Sequence, residues 1–376
     1  EGVAMGLRGF VLAMLLALAA TPPAYAQRAA DDVFAVRGVD VDRAAGTAAL
    51  ARDQAVADGQ RVAWRRLVER LVPVAQRGDL PALPANRVAE LVDSFEIESE
   101  RGTGTRWIGR VAYRFQPERV RALLRARQVA YAETRARAIL VVPVMIEDGV
   151  PKLWEDENLW KRAWIGLGPD DGLQPRRVPE GTLEDIATLD AAQADGGDRA
   201  ALRRLAEVYQ AQGAIIARAR IDTVEGQTLI VVGFERIGAR AEDARWQVVE
   251  PVRPRETPET VFRRLAQQAA LGIEERWKAE VLVGGTAGAG GTLRATIQAE
   301  DVRDWVAVRA RLADVAAVRR IDVLAMGRGG LIVDIDYDGA VETLRTAMAQ
   351  RDLTLSAAGD TWRLAIAGQA APARAR

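Results

Sequence analysis

The sequence predicts a multidomain protein that combines α+β and α/β units. Three observations lead to this prediction. Strand-like and helix-like segments alternate along most of the chain, residues 138–145 form an almost unbroken apolar run, and residues 293–366 follow a β-α-β-β-α-β order with a final extra strand. We expect an export signal at 5–26, a β-α-α-β-β module at 27–128, an α/β domain at 136–255, a helix plus a ferredoxin-like domain at 256–368, and a disordered tail at 369–376.

Residues 5–26 have the three parts of a Sec-type cleavable export signal. Arg8 supplies the positive charge, and residues 9–20 supply the apolar core. That core is about 12 residues long, well short of the ~20 that cross a bilayer. Ala24, Tyr25 and Ala26 form a small-x-small cleavage site. We therefore expect a periplasmic protein that begins at Gln27 and that, having no cysteine, is not a lipoprotein.

The composition excludes several kinds of chemistry. The chain contains no His and no Cys, which removes the Ser-His-Asp triad, thiol nucleophiles and disulfides, together with His or Cys metal sites. Lys and Arg together number 52 and equal Asp and Glu at 52, so no excess of positive charge favours nucleic acid. We expect no cofactor, no resident metal and no nucleic-acid partner.

The first segment predicts a small β-α-α-β-β module. The predicted elements are a strand at 33–39, helices at 47–72 and 86–94, strands at 95–100 and 107–115, and a short helix that begins at Pro117. This order resembles the small domains of the polypeptide-transport-associated type, which occur in envelope assembly proteins. Arg61 and Arg65 lie on the polar side of the long helix. That side is either a solvated surface or a docking face for an acidic lipid or partner.

The middle segment predicts an α/β domain. The apolar run at 138–145 suits a strand buried on both faces. Helices are expected at 182–192 and 199–212, and further strands at 214–221, 228–234 and 246–249. A strand, a helical region and a strand with Gly213 at the junction indicate a βαβ unit. At the level of the fold, this resembles the α/β domains of periplasmic accessory proteins.

The densest aromatic feature lies at 153–164. Trp154, Trp160 and Trp164 accompany the acidic residues Glu155 and Asp156. Indole faces that stack on sugars, together with paired carboxylates, are typical of a glycan-binding or glycan-cleaving cleft. The alternative is structural, with the rings covering the α/β core while the acids stay in water. These five residues are the candidate ligand-binding residues, and no residue is assigned a catalytic role.

The third segment predicts a helix at 257–278 and then the ferredoxin-like pattern with one extra strand. The Gly-rich stretch at 284–291 lacks the Gly-Lys-Ser/Thr ending of a P-loop, and we expect a flexible hairpin loop there. Residues 334–339 match half of a calcium loop, but Arg345 occupies the position of the bidentate Glu. The alternation of apolar residues predicts a strand at this stretch instead.

Several stretches together carry a family resemblance. They are 51–55, 67–70, 138–143 and 183–186, and above all the Leu-Trp-Glu-Asp sequence at 153–156 followed by Trp160 and Trp164. In this pattern the chain resembles an uncharacterised family of exported proteobacterial proteins, the domain of unknown function 2066 family. The resemblance implies export and a similar architecture, and it implies no activity.

Taken together, these features favour a non-catalytic binding or scaffold protein of the cell envelope. Its expected partners are envelope or periplasmic proteins, and the arginine-rich helix face leaves a membrane surface open as a partner. The alternative is a glycan-directed binder or hydrolase that uses the stretch at 153–164.

We expect the exported protein to begin at Gln27. When the signal-bearing chain is expressed in a Gram-negative host, mass spectrometry of the periplasmic fraction should find Gln27 as the first residue. The matched control is a chain that begins with Met followed by residue 27, which should stay in the cytoplasm. A signal-bearing product that keeps residues 5–26 in the cytoplasmic fraction would contradict the prediction.

Overall fold

The computed structural model describes residues 33–168, 170–224, 226–238, 245–284, 290–297, 302–327, 330–359 and 361–368. The predicted export signal, residues 285–289 of the Gly-rich stretch and the predicted tail at 369–376 lie outside these residues. Helices and strands are mixed along the chain, and the strands form three sheets. The prediction of an α+β multidomain fold is therefore confirmed.

The N-terminal unit has the predicted order of elements. They are β1 (Ala35–Ala44), α1 (Ala48–Leu71), α2 (Ala85–Leu91), β2 (Val92–Gly102), β3 (Arg106–Phe115) and α3 (Pro117–Ala126), with a 3₁₀ helix at Val74–Asp79. The sheet is antiparallel in the order β1-β3-β2, and α1 packs against β1 and β3. At Gly59 on α1, a Cβ atom would collide with the hydroxyl of Tyr113, which donates a hydrogen bond to the Val56 carbonyl. This glycine therefore sets how closely the helix approaches the sheet.

The middle unit is a sheet with helices on both faces. Its elements are β4 (Ile139–Glu147), β5 (Val150–Lys152), α4 (Leu159–Ile165), β6 (Arg176–Arg177), α5 (Leu183–Thr188), α6 (Ala191–Gly196), α7 (Arg199–Val208), β7 (Gly213–Val224), β8 (Gln227–Gly238) and β9 (Arg245–Pro251). The main strand order is β5-β4-β7-β8-β9, and β4 and β7 are parallel, as the predicted βαβ unit requires. The helix expected at 182–192 is two helices, because Asp190 caps α6 by accepting a hydrogen bond from Gln193 N.

The helix α8 (Pro258–Glu280) belongs to the middle unit, not to the C-terminal one. Phe262, Leu265 and Ile273 pack in the same apolar cluster as Val141 on β4 and Ile215 on β7. The domain boundary expected at 256 would separate this helix from the sheet that it covers. The helix itself was predicted correctly; its partner sheet was assigned wrongly, because an amphipathic pattern identifies a buried face but not what covers it.

The C-terminal unit has the predicted order of elements but a different sheet. Its elements are β10 (Gly291–Ile297), α9 (Val302–Ala313), β11 (Val318–Gly327), β12 (Gly330–Tyr337), α10 (Val341–Ala349), β13 (Leu353–Ala358) and β14 (Thr361–Ile366). The strand order is β11-β12-β10-β14-β13, and β14 lies parallel to β10. A ferredoxin-like sheet would place the strand after α10 directly beside β10. Here the extra strand takes that place with Leu364 buried, and β13 is moved to the edge.

Residues 334–337 lie on β12, as the alternation predicts, and so do not form a calcium loop. Arg294 on the neighbouring strand binds Asp334 through two hydrogen bonds of 2.9 and 3.0 Å. Thr292 donates a hydrogen bond to Asp336. Both carboxylates are therefore bonded to side chains of the neighbouring strand on the surface of the sheet.

The end of α1 is fixed to α8 by a buried lysine. The Lys278 side chain is 0% exposed, and its Nζ donates to the Glu69 carbonyl at 2.7 Å and to Glu275 at 2.9 Å. Arg77 donates to the same Glu69 carbonyl and also to Glu275. Because the last carbonyls of a helix have no partners within the helix, these two cations supply the missing donors. The N-terminal and middle units are thereby joined through one charged cluster.

The segments that connect the units also meet each other. Tyr131, between the N-terminal and middle units, and Val283, between the middle and C-terminal units, exchange two backbone hydrogen bonds of 2.9 and 2.8 Å. Val283 also packs in the apolar core of the N-terminal unit. The chain therefore enters and leaves the middle unit at one place.

We expect Lys278→Met to lower the free energy of unfolding by about 1–3 kcal/mol, because the methionine removes one of the donors to the Glu69 carbonyl and to the half-buried Glu275 carboxylate. Urea unfolding measures the change. The control is Lys152→Met, which removes the exposed pair with Glu147 and should cost less than about 1 kcal/mol. Equal costs for the two variants would show that the buried cluster does not hold the units together.

Candidate functional site

The structure places the predicted aromatic residues inside the protein. Trp160 is 0% exposed and Trp164 is 2% exposed, and their rings pack edge-on with centroids 5.4 Å apart. Trp160 also contacts Phe262 and donates from Nε1 to the Ala217 carbonyl. Neither ring offers a free face for a sugar. The interpretation of Trp160 and Trp164 as ligand-binding residues is corrected accordingly, and the structural alternative describes them.

The remaining candidates in this stretch are also held by local structure or exposed to solvent. Trp154 is half-buried, and its Nε1 donates to the Leu189 carbonyl at 2.8 Å. Glu155 and Asp156 are exposed. The nearby Asn158 is buried; it caps α4 and donates to carbonyls of β4 and β5. The stretch therefore forms a tightly bonded connection from strand to helix, and the structure does not assemble these five residues into a cleft.

A cleft lies instead at the end of the middle sheet where β4 and β7 begin and β8 ends. We call it the sheet-end cleft and define it by Ile139, Gln174, Ile215, Arg236, Trp277 and Glu280. It consists of two adjoining pockets of about 240 Å³ each, which share Ile139, Arg236, Trp277 and Glu280. Ala349 and Gln350 of the C-terminal unit line one of them. The cleft therefore lies between two units, a common position for ligand sites.

The floor of the cleft is apolar and its rim is basic. Ile139, Ile215 and Trp277 are buried, whereas Arg276 and Glu280 are exposed on α8. Besides Arg276, the arginines that line the two pockets are Arg137 and Arg236. Among the described residues, Glu280 is the one acidic residue that lines them, and it accepts a hydrogen bond from Arg236 at 2.9 Å. The chain as a whole is neutral, so this basic rim is a local feature.

An aromatic stack fixes one of the arginines. The rings of Phe234 and Trp246, side by side on β8 and β9, are stacked at 4.9 Å with an angle of 10° between their planes. The Arg276 guanidinium lies 4.5 Å from the centroid of the Trp246 ring. A cation over an indole face is attracted by the ring quadrupole, and the stack limits the movement of the guanidinium.

Glutamine side chains line the cleft and connect it to the C-terminal unit. Gln174 donates to the Arg137 carbonyl at 2.8 Å and accepts from Gln212 at 3.3 Å. Arg137 N donates to Gln350 at the end of α10, and the Arg137 side chain pairs with Asp352. These bonds satisfy polar groups that would otherwise be buried without partners.

A half-buried carboxyl positions Gln174. Glu274 on α8 accepts hydrogen bonds from Leu173 N at 2.8 Å and Gln174 N at 2.9 Å. Burial raises the pKa of the Glu274 carboxyl, and the two N–H donors and the charge of Lys278 oppose that rise. Glu274 therefore acts through the loop that it holds and does not line the cleft.

The described side chains that line the cleft are suited to binding a ligand. Arginine and glutamine side chains donate hydrogen bonds, and the carboxylate of Glu280 is engaged by Arg236. In the part of the chain that the structure describes, no group of three or more acidic side chains could hold a metal ion. Across the same residues, no helix is both long and apolar enough to cross a membrane.

Sequence reasoning missed this cleft because its residues come from distant places in the chain. The strands supply Ile139, Ile215, Arg236 and Trp246, and α8 supplies Arg276, Trp277 and Glu280. The one local signal was on α8, where Arg276 and Glu280 are four residues apart and so share a face. Trp277, which follows Arg276 on the same helix, is buried.

No protein-family model matches this chain, and no curated protein matches its sequence. Membership of the domain of unknown function 2066 family therefore stays a prediction.

We expect the pH dependence of stability to reveal Glu274. Its pKa in the folded protein is raised above the ordinary 4.5, so the folded state binds the proton more tightly. The stability from this group is complete below pH 4.5 and is lost as pH rises through the raised pKa. In urea unfolding at successive pH values, the free-energy difference between the parent and Glu274→Gln should therefore shrink as pH rises.

Glu256→Gln is the control of opposite sign. A hydrogen bond from Arg264 lowers the pKa of Glu256, so the stability from that carboxylate is present above 4.5 and is lost as pH falls. Here the difference between parent and variant should grow as pH rises. Two variants with the same slope would contradict the assignment of Glu274.

Proposed function

We propose that the protein is an exported, non-catalytic binding protein of the cell envelope that holds a small ligand in the sheet-end cleft. One observation carries this proposal. Between two units, a cleft that is open to solvent has a floor of largely buried apolar side chains, and side chains that donate hydrogen bonds surround this floor. Apolar pockets with a few convergent polar groups are the usual form of small-molecule sites.

The absence of His and Cys from the sequence supports binding without catalysis. At neutral pH, Arg and Gln side chains do not exchange protons with a substrate, and Glu280 is exposed and bonded to Arg236. The export part of the proposal rests on the predicted signal at 5–26 and on the resemblance described above.

The position of the cleft also supports a role in coupling the units. Gln350 of the C-terminal unit lines the cleft and bonds to Arg137 at its edge. A ligand in the cleft would touch the middle and C-terminal units together. In this proposal, envelope or periplasmic proteins bind to the outer surfaces of those units.

We expect a small-molecule fragment library to contain binders that Ala279→Trp excludes. Ala279 is exposed on α8 and lines the cleft, so an indole there narrows its mouth without removing a buried group. Saturation-transfer NMR measures fragment binding to the parent and to the variant. Most fragment signals seen with the parent should be lost.

The control is Gln268→Trp, which adds the same indole to an exposed position of α8 that does not line the cleft. It should keep the signals of the parent, and circular dichroism should show both variants folded. If Ala279→Trp binds the same fragments as the parent, the cleft is not the binding site and the proposal fails.

A further inference from the structure

The pocket beneath Arg276 combines an apolar interior with an unbalanced positive charge. Its interior is formed by Ile139, Ile215, Ile273 and Trp277, all buried. At about 30 Å³ for each water-sized group, the 240 Å³ of this pocket holds about eight non-hydrogen atoms. An aliphatic or aromatic body of that size would lose its contact with water on entering, which favours binding.

Among the described residues that line this pocket, the positive charges exceed the negative charges by one unit. Arg236 and Arg276 line it together with the single carboxylate of Glu280. Glu280 is bonded to Arg236. Within the ranges that the structure describes, Arg276 has no acidic partner and is held by the face of Trp246. Its N–H groups therefore remain available to an anion.

We propose that this pocket binds an amphipathic organic carboxylate, with its apolar body on the buried floor and its carboxylate on Arg276. This inference rests on the proposed function and names the class of ligand. One excess positive charge matches one carboxylate, and the planar guanidinium fork fits the two oxygens of that group. A cation is repelled at this rim, and a sugar leaves its hydroxyls without partners on the apolar floor.

The same chemistry occurs in two sources, a free fatty acid and the C-terminus of an apolar peptide. Octanoate represents the first source, and N-acetyl-leucine represents the second. Three control probes are compared with octanoate. Octanol has the same apolar chain without a charge, octylamine has that chain with a positive charge, and acetate has the carboxylate without the chain. Isothermal titration calorimetry with the whole exported chain measures the affinity of each probe.

We expect at least one of the two amphipathic carboxylates to bind about tenfold more tightly than octanol, octylamine and acetate. The tighter of the two identifies the source. Added salt should weaken the binding of the carboxylate, because the charges at the rim are exposed and salt screens them. Octanol that binds as tightly as the tighter of the two carboxylates overturns the proposal.

Two exposed residues of α8 test the charge argument in opposite directions, and a third serves as the control. Arg276→Gln should lower the affinity for the carboxylate about tenfold. Glu280→Gln keeps an acceptor for Arg236 but removes the opposing charge, and should strengthen binding about threefold. The matched control Arg263→Gln lies on the same helix outside this pocket and should change nothing. A carboxylate affinity that is unchanged in both Arg276→Gln and Glu280→Gln overturns the proposal.

The failure of this inference is distinguishable from failure of the proposed function. If fragments bind the parent and are excluded by Ala279→Trp, but neither carboxylate is preferred, the cleft binds another class of ligand and only the inference falls. If Ala279→Trp excludes no fragment, the proposed function falls with it.

Discussion

The ammonium group of Lys278, buried at the end of α1, is the constraint on which the arrangement of the units depends. A buried cation without partners would be very unfavourable, so the Glu69 carbonyl and Glu275 must stay in place around it. Those partners come from two units, and the charge therefore fixes α8 against α1. A helix rises only about 1.5 Å per residue, so the residues on the last turns of α8 lie close to Lys278. The same contact therefore fixes their positions too. Glu274 holds the loop of Gln174, and Arg276 and Glu280 stand at the cleft.

Local patterns were enough to predict most elements of the fold. The apolar run at 138–145 led correctly to β4 and to the βαβ unit, because a strand buried on both faces leaves that signature in a short stretch of sequence. The order of strands in the C-terminal sheet was not predictable in the same way. Whether β13 or β14 lies beside β10 depends on pairing across the sheet, and both strands have suitable apolar residues. The partner of α8 was missed for the same reason.

The candidate site, unlike most elements of the fold, was not predictable from local patterns. Tryptophan next to acidic residues was the most conspicuous local pattern, yet Trp160 fills the core and Glu155 faces water. The pattern has a structural cause, since a large ring at the start of a helix closes the apolar layer between α8 and the sheet. The cleft depends on residues such as Arg236 and Arg276, which are far apart in sequence and are ordinary surface arginines in any local pattern. Only the packing of α8 across the sheet brings them together.

The paired backbone bonds between Tyr131 and Val283 have a mechanical consequence. They close the whole middle unit into a loop between the two connecting segments. A pull that separates the N-terminal and C-terminal units is therefore carried first by this short crossing and not by the middle sheet. Along the backbone, the strands of the middle sheet and the floor of its cleft are stretched only after the crossing has opened. The crossing thus takes the middle strands out of the direct path of the backbone between the two outer units.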